Sequence, residues 1–233
     1  VVLATGELQS VDLLSVLSGA NLAAVENQAG DWEVFQFATA ALVDVNTYDL
    51  SLFLRGQGGT EAAMQADLPA DARFVLLNGA LEQVGLGEAE RGLALQWRYG
   101  PLPYGLGHEA YTSQTRSFKG VGLRPLSPVH LRATRLAGGD ISLSWVRRTR
   151  IDGDNWTSLE VPLGEETEAY EIDIMQGATV KRTLTAVTSP AIYAAADQIT
   201  DFGSINFPTL TFQLVQLSRA FGRGTAREAQ FNV

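Results

Sequence analysis

The sequence predicts a mainly β chain: a β-rich first domain with one short helix over residues 1–124, then a seven-stranded β-sandwich over 125–233. Three observations predict it. Apolar stretches are short, rich in Val, Leu and aromatics, and closed by Gly, Asn, Asp or Pro, which is how strands between turns read. Several of them alternate apolar and polar residues with the period of two that lines one face of a sheet. Between the halves, Leu123-Arg124-Pro125-Leu126-Ser127-Pro128 carries two prolines that resist both helix and strand pairing, as a connector should.

In the first half the candidate strands are Leu22–Glu26, Trp32–Phe37, Ala41–Val45, Tyr48–Arg55, Arg73–Leu77 and Leu93–Tyr99. Trp32–Phe37 has no clean polar face, which predicts burial on both sides. In the next hairpin arm Tyr48, Leu50 and Leu52 should share a face, opposite Asp49, Ser51 and Phe53. The helix is expected at Thr60, an N-cap residue followed by Glu61 in the first turn, and it should stop before Pro69. Residues 100–120, rich in Gly, Tyr and Pro, read as a long loop.

After Pro128 the pattern is sharper. Val129–Arg135 is a first strand, and Gly138-Gly139-Asp140 turns it into Ile141, Leu143 and Trp145, alternating with serines. A long connection, Arg147–Ala169, leads to Tyr170, Ile172 and Ile174, alternating with Glu171 and Asp173. Gln176-Gly177-Ala178 turns the chain into Val180–Val187. Ala191–Ala194 is short, Ala195–Phe202 is a helical turn closed by Gly203, and Leu210–Leu217 is long and apolar. Gly222-Arg223-Gly224 is a turn and Ala229–Val233 the last strand. Seven strands in this length predict a sandwich.

Composition narrows the function. The chain has 233 residues and a net charge of -9, with 14 acidic against 7 basic residues in 1–125 and 12 against 10 after it. An acidic chain without a basic stripe is a poor ligand for nucleic acid or anionic membrane. There is no cysteine, so neither a disulfide nor a thiolate metal site is expected, and the chain can fold in a reducing cytoplasm. No apolar run approaches the ~20 residues of a membrane-spanning helix. The start at Val1-Val2-Leu3 has neither Met nor a signal-peptide pattern and reads as a chain already in progress.

In the second half, Pro128, Trp145, the run Tyr170-Glu171-Ile172-Asp173-Ile174, Leu210–Leu217, Gly222-Arg223-Gly224 and Ala229–Val233 stand in an order that resembles fibronectin type III. The resemblance makes Val129–Arg135 strand A, puts Trp145 on strand B, Tyr170 on strand C and Leu210–Leu217 on strand F. Two departures are plain: the connection between strands B and C is unusually long, and Phe212 stands near the usual corner tyrosine, so that hydroxyl bond is missing. A longer resemblance covers both halves. Leu54-Arg55-Gly56-Gln57-Gly58-Gly59-Thr60-Glu61, Gly122–Leu131, Arg147–Asp154, Val161–Glu166 and the ending from Gln216 to Ala229 resemble the carboxy-terminal region of the large tail-tip protein of gene transfer agents and related siphophages. That resemblance implies a baseplate-hub or host-specificity role without enzymatic activity in this region. It also implies a homotrimer at the distal tail of a virion or gene-transfer-agent particle made in the bacterial cytoplasm. The implied partners are other baseplate and tail proteins, and a polysaccharide or receptor on the host surface.

The residues offer little catalytic chemistry. His108-Glu109-Ala110-Tyr111-Thr112 opens like a zinc-protease helix but lacks the second histidine, and His130 is read as a surface or packing residue. Gly56-Gln57-Gly58-Gly59-Thr60 lacks the lysine of a phosphate-binding loop and reads as a tight turn. Asp152-Gly153-Asp154-Asn155 offers oxygens but not the spacing of a calcium loop. Neither a paired-carboxylate cleft nor a nucleophile motif is present. No cofactor or metal is expected. The candidate ligand-contacting residues are therefore loop aromatics and acids: Trp156, Tyr104, Tyr111, Asp152 and Asp154, with aromatic faces suited to sugar rings. Two other readings stand beside the tail-tip role: a glycan-binding accessory module of a secreted bacterial hydrolase, and a spacer that binds nothing.

Overall fold

A computed structural model describes residues 1–153, 157 and 159–233. The chain is mainly β, with two separate hydrophobic cores, one built from residues before position 77 and one from residues after 130.

The first core sits on an antiparallel sheet. Its strands are β1 (Leu22–Glu26), β2 (Trp32–Asp44), β3 (Thr47–Gln57) and β4 (Phe74–Leu76), in the order β3-β2-β1-β4. The two expected strands Trp32–Phe37 and Ala41–Val45 are one long strand, because the small residues between them extend the ladder without a break. Trp32–Phe37 is covered on both sides, as expected. On one face Phe35 and Phe37 are buried with Ala23, Val25 and Tyr48. On the other, buried Gln36 donates to the carbonyls of Val16 (2.5 Å) and Ala20 (2.8 Å). Those carbonyls belong to the end of α1 (Leu13–Leu17) and to the turn that follows it; α1 is a helix missed in the sequence, and its N-cap Asp12 accepts the Ser15 N–H at 2.8 Å. The Ser15 bonds hold the Asp12 carboxyl below its ordinary range.

Two expectations for this half are corrected. Thr60 does not cap an α-helix. It opens a single 3-10 turn, Thr60–Ala63, and its hydroxyl is taken elsewhere: it accepts from the distant Val34 N–H at 2.9 Å and donates back to Gln57 O at 2.6 Å. The shared face of Tyr48, Leu50 and Leu52 also ends early. Leu52 has a φ of 58°, which breaks the alternation; Leu52 is exposed, and Phe53 meets Phe35 edge-on at 5.6 Å.

Residues 100–120 are not one loop. β5 (Leu95–Tyr99) pairs with β6 (Thr112–Arg116) in a two-stranded hairpin, so only 100–111 form the excursion. β6 escaped notice because it is wholly polar and shows no apolar alternation.

The second core is a two-sheet sandwich. β7 (Val129–Arg135), β8 (Ile141–Val146) and β11 (Ala191–Tyr193) form one sheet, ordered β11-β8-β7. β9 (Tyr170–Gln176), β10 (Thr179–Ala186), β12 (Thr209–Ser218) and β14 (Arg227–Asn232) form the other, with β12 between β9 and β14. This is the fibronectin-type-III-like arrangement. Ile141, Leu143, Ile172, Ile174, Phe212 and Leu214 are fully buried between the sheets, and Trp145 meets Tyr170 edge-on at 4.8 Å. Gly222-Arg223, expected as a turn, is instead the two-residue strand β13, paired with the end of β12.

One end of the sandwich is closed by α2 (Ala195–Phe202), which ends on Gly203 as expected. The fully buried Gln198 donates to Gly139 O (3.0 Å) and Tyr193 O (2.9 Å) and accepts from Arg135 (3.0 Å). Asp201 accepts from Arg182 (2.7 Å) and from the Tyr193 hydroxyl (2.7 Å). The Arg182 bond, aided by Tyr193, holds the Asp201 carboxyl below the ordinary range; burial, with Asp201 beside it, pushes the Tyr193 hydroxyl up.

Candidate functional site

Two places gather the residues that the sequence singled out. One is the tip of the β5–β6 hairpin. Three successive turns fold the excursion: Tyr104 N–H donates to Pro101 O, His108 N–H to Gly105 O and Tyr111 N–H to His108 O. The turns stack the Tyr104 and His108 rings nearly parallel, with centroids 4.1 Å apart. The Tyr111 hydroxyl donates to Tyr104 O at 3.1 Å, and the Arg98 guanidinium lies 5.9 Å from the Tyr111 ring centre. His108 Nδ1 accepts the Ala110 N–H at 3.1 Å, so this histidine organises the loop. Among the described residues, no group of three His, Asp or Glu side chains stands close enough to hold a metal ion. Around the stack Leu102, Leu106, Tyr99 and Tyr104 are exposed, Leu102 at 96%. The tip therefore presents an ordered aromatic and apolar surface that can stack or pack against a partner.

The second place is the junction between the two cores. Glu61 accepts the Ser127 N–H at 3.0 Å and a guanidinium N–H of Arg148. Arg148 also donates to Ser127 O (2.8 Å) and Ser127 Oγ (3.1 Å). One acid of the first unit thus holds both the connector and the start of the long connection after β8. Two close approaches need glycine. At Gly59, φ is 79° and a Cβ would stand 2.4 Å from Val121 O. At Gly224 a Cβ would stand 2.8 Å from Gln216 O and 2.9 Å from Pro125 O, where Thr225 N–H donates to Pro125 O at 3.1 Å. A cleft of about 260 Å³ remains here, walled by Arg55, Gly56–Gly59, Leu126, Arg148 and Arg150. Each of its arginines is already neutralised: Arg55 by Glu33, Arg148 by Glu61, Arg150 by Glu165.

The candidate residues thus part company. Tyr104 and Tyr111 lie together at the hairpin tip. Asp152 is exposed on the long connection, with a φ of 47°. Trp156 and Asp154 lie outside the described residues. The arginines opening the long connection turn inward: Arg147 donates to Val161 O (2.7 Å) and Pro162 O (2.9 Å), and Arg150 to Gly164 O (3.0 Å). Arg98 and His108, which complete the hairpin cluster, were missed as its members; their signal was the Gly/Pro/Tyr-rich excursion, which folds back on itself.

A family model described as "Rcc01698-like, C-terminal" matches residues 1–75, about a third of the chain. No curated protein matches. Among solved structures, the chain is similar to a mutant of FN3tt (16% identity over 47% of this chain and 96% of that one, TM-score 0.31). It is also similar to the FN5 domain of Drosophila Lar (15% identity, 47% and 96%, TM-score 0.28). A third similarity is to domains d3–d4 of the rat CD45 extracellular region (8% identity, 84% and 94%, TM-score 0.34). The strand order above, not these likenesses, defines the sandwich. The family match falls on the first unit, which carries Gly59 and Glu61 of the junction.

Proposed function

We propose that the chain is a non-enzymatic structural component of a phage-like tail tip or baseplate, where it presents its hairpin and sandwich loops for attachment to a host surface. In this reading it sits at the distal tail of a virion or gene-transfer-agent particle, as a homotrimer among other baseplate and tail proteins. The observation that carries the reading is convergence: Leu54–Glu61, Gly122–Leu131, the arginines opening at Arg147, and the run from Gln216 all meet at the one junction. These runs carry the tail-tip resemblance, and here they fix one β unit on another. The family match over residues 1–75 supports the same reading.

The mechanism is presentation. A junction held by Glu61, Ser127 and Arg148 keeps the two units from swinging, so the exposed aromatic tip enters contact with little ordering cost. Weak contacts on symmetric copies add by avidity. Electron microscopy of particles labelled on this chain tests the assignment: label at the distal tail is expected, and its absence there ends the proposal. A binding assay of the chain against host-surface polysaccharide tests the contact, with binding expected to fall on Tyr104→Ala. Polysaccharide binding by a chain absent from tails would favour the accessory-module reading instead.

A further inference from the structure

The β5–β6 hairpin has two unlike faces. Strand alternation puts Leu95, Trp97 and Gln114 on one of them, all half-buried, with Trp97 edge-on to Phe118 at 5.6 Å. Gln96, Arg98, Ser113 and Thr115 share the other face, and all four are exposed. Gln96 stands opposite Thr115, and Arg98 opposite Ser113. Among the described residues, none of these four side chains has a hydrogen-bond or ion-pair partner. They line a groove of about 400 Å³ together with Trp97 and Gln114. The polar face ends on Tyr111, one step beyond the last ladder pair. Its ring lies against Gly100, where a Cβ would stand 2.6 Å from the ring, so the close approach needs glycine. The Arg98 guanidinium lies 5.9 Å from the centre of the same ring.

The net charge of the chain conceals a local reversal. Residues 91–119 carry Arg91, Arg98, Arg116 and Lys119 against the single acid Glu109, a charge of +3. The rest of the chain has 13 basic against 25 acidic residues, a charge of -12. The hairpin is thus a cationic element on an anionic protein. Elsewhere most arginines of the two cores are met by carboxylates, as at Arg55, Arg73, Arg148 and Arg182. Arg98 is not.

We propose that this polar face binds a glycan whose carboxylated sugars are separated by neutral ones, with Arg98 on the carboxylate and Tyr111 against a sugar ring. The inference rests on the reading that the hairpin meets the host surface, and it names the chemical class met there. An amide, two hydroxyls and a guanidinium beside one aromatic ring are groups that pair with sugar hydroxyls and cover a ring face. A guanidinium can meet a carboxylate through two N–H groups at once. The spacing of charge follows from the rest of the chain. A polymer charged at every step is repelled by the surrounding -12, whereas isolated carboxylates reach Arg98 with less of that repulsion.

The test uses the whole chain and fluorescein-labelled hyaluronan oligosaccharides, in which a carboxylated sugar alternates with a neutral one. The control is the same oligosaccharide with its carboxylates reduced to alcohols. Fluorescence polarisation should show the carboxylated form binding about fivefold tighter, the upper range of an exposed charge pair. Arg98→Gln, at an exposed side chain, should abolish that preference, and Arg98→Lys should restore part of it. Tyr111→Ala should weaken both forms about 2- to 12-fold, the range for an aromatic contact. Equal binding of the two forms by the parent chain overturns the proposal while leaving a neutral glycan contact at the host surface. Binding of neither form also overturns it, and labelling of particles still decides the tail placement separately. Oligothymidylate bound as tightly as hyaluronan overturns it too, because the face would then accept any polyanion. So does salt-sensitive self-association that Arg98→Gln abolishes, since the cation would then serve a second copy of the chain.

Discussion

Replacing Glu61 with alanine should uncouple the two cores without unfolding either. Glu61 accepts one backbone N–H, from Ser127, and one guanidinium N–H, from Arg148. A bond to a charged group contributes about 1.5–3 kcal/mol when shielded from water. The Arg148 side chain is 33% exposed and Glu61 17%, so solvent screening moves each bond toward the lower end. The expected loss is about 2–3 kcal/mol, borne by the junction rather than by either core. Arg148 keeps its bonds to Ser127 O and Oγ in the variant, so Arg148→Ala should not be additive with it; a coupling of about 1–2 kcal/mol is expected in the double-mutant cycle. Urea denaturation followed by tryptophan fluorescence reads the outcome, because Trp32 reports on the first unit and Trp145 on the sandwich. The variant should show two separated transitions, with the sandwich midpoint little changed, and faster proteolytic cutting between residues 117 and 128. Unaltered midpoints together with an additive double mutant would refute the clamp.

Three further outcomes follow from the same geometry. Gln198→Leu keeps the volume but takes the Gln198 donor from Tyr193 O and leaves Gly139 O and Arg135 with only their bond to each other (3.1 Å), and should cost the sandwich about 1–3 kcal/mol in thermal unfolding. Asp201 has its pKa lowered in the folded chain, so its contribution is full above the ordinary value of 3.8 and is lost as pH falls through the lowered one. Melting temperatures of Asp201→Asn and the parent should therefore converge on acidification below about pH 4. Gly59→Ala meets both a positive φ and the Val121 carbonyl, and should cost more than the ~1 kcal/mol of a simple left-handed alanine in urea titration.

The sandwich was legible because its strands carry their own evidence. Ile141, Leu143 and Trp145, then Tyr170, Ile172 and Ile174, alternate in sequence, and the same residues are buried in the structure. What escaped reading depends on partners far along the chain. Gln198 and Gly139 are 59 residues apart, and nothing near Gln198 marks it as buried. Glu33 looks like the polar side of a strand, yet it is wholly buried because Arg55 meets it from β3 at 2.5 and 2.9 Å. Thr60 satisfied every local rule for an N-cap, and a bond from Val34, 26 residues away, took its hydroxyl. The hairpin tip was half legible: its aromatics stood out, but the turns that bring His108 onto Tyr104 did not. The junction was legible as text and illegible as a place, since its motif runs are adjacent only after folding.

That convergence bears on what the motif runs are for. At the junction Arg55, Arg148 and Arg150 are each met by a carboxylate, and two glycines, Gly59 and Gly224, are held against backbone carbonyls. Such a cluster has its charge satisfied internally and its shape tightly constrained, as a fixed joint requires. The exposed surface lies elsewhere, at the aromatic hairpin tip. A rigid joint holds the two β units at a set distance and angle, so that what the tip meets is fixed relative to the sandwich. On our proposed reading, loosening the joint through Glu61 should weaken attachment by whole particles while leaving the binding of the hairpin tip to an isolated ligand intact.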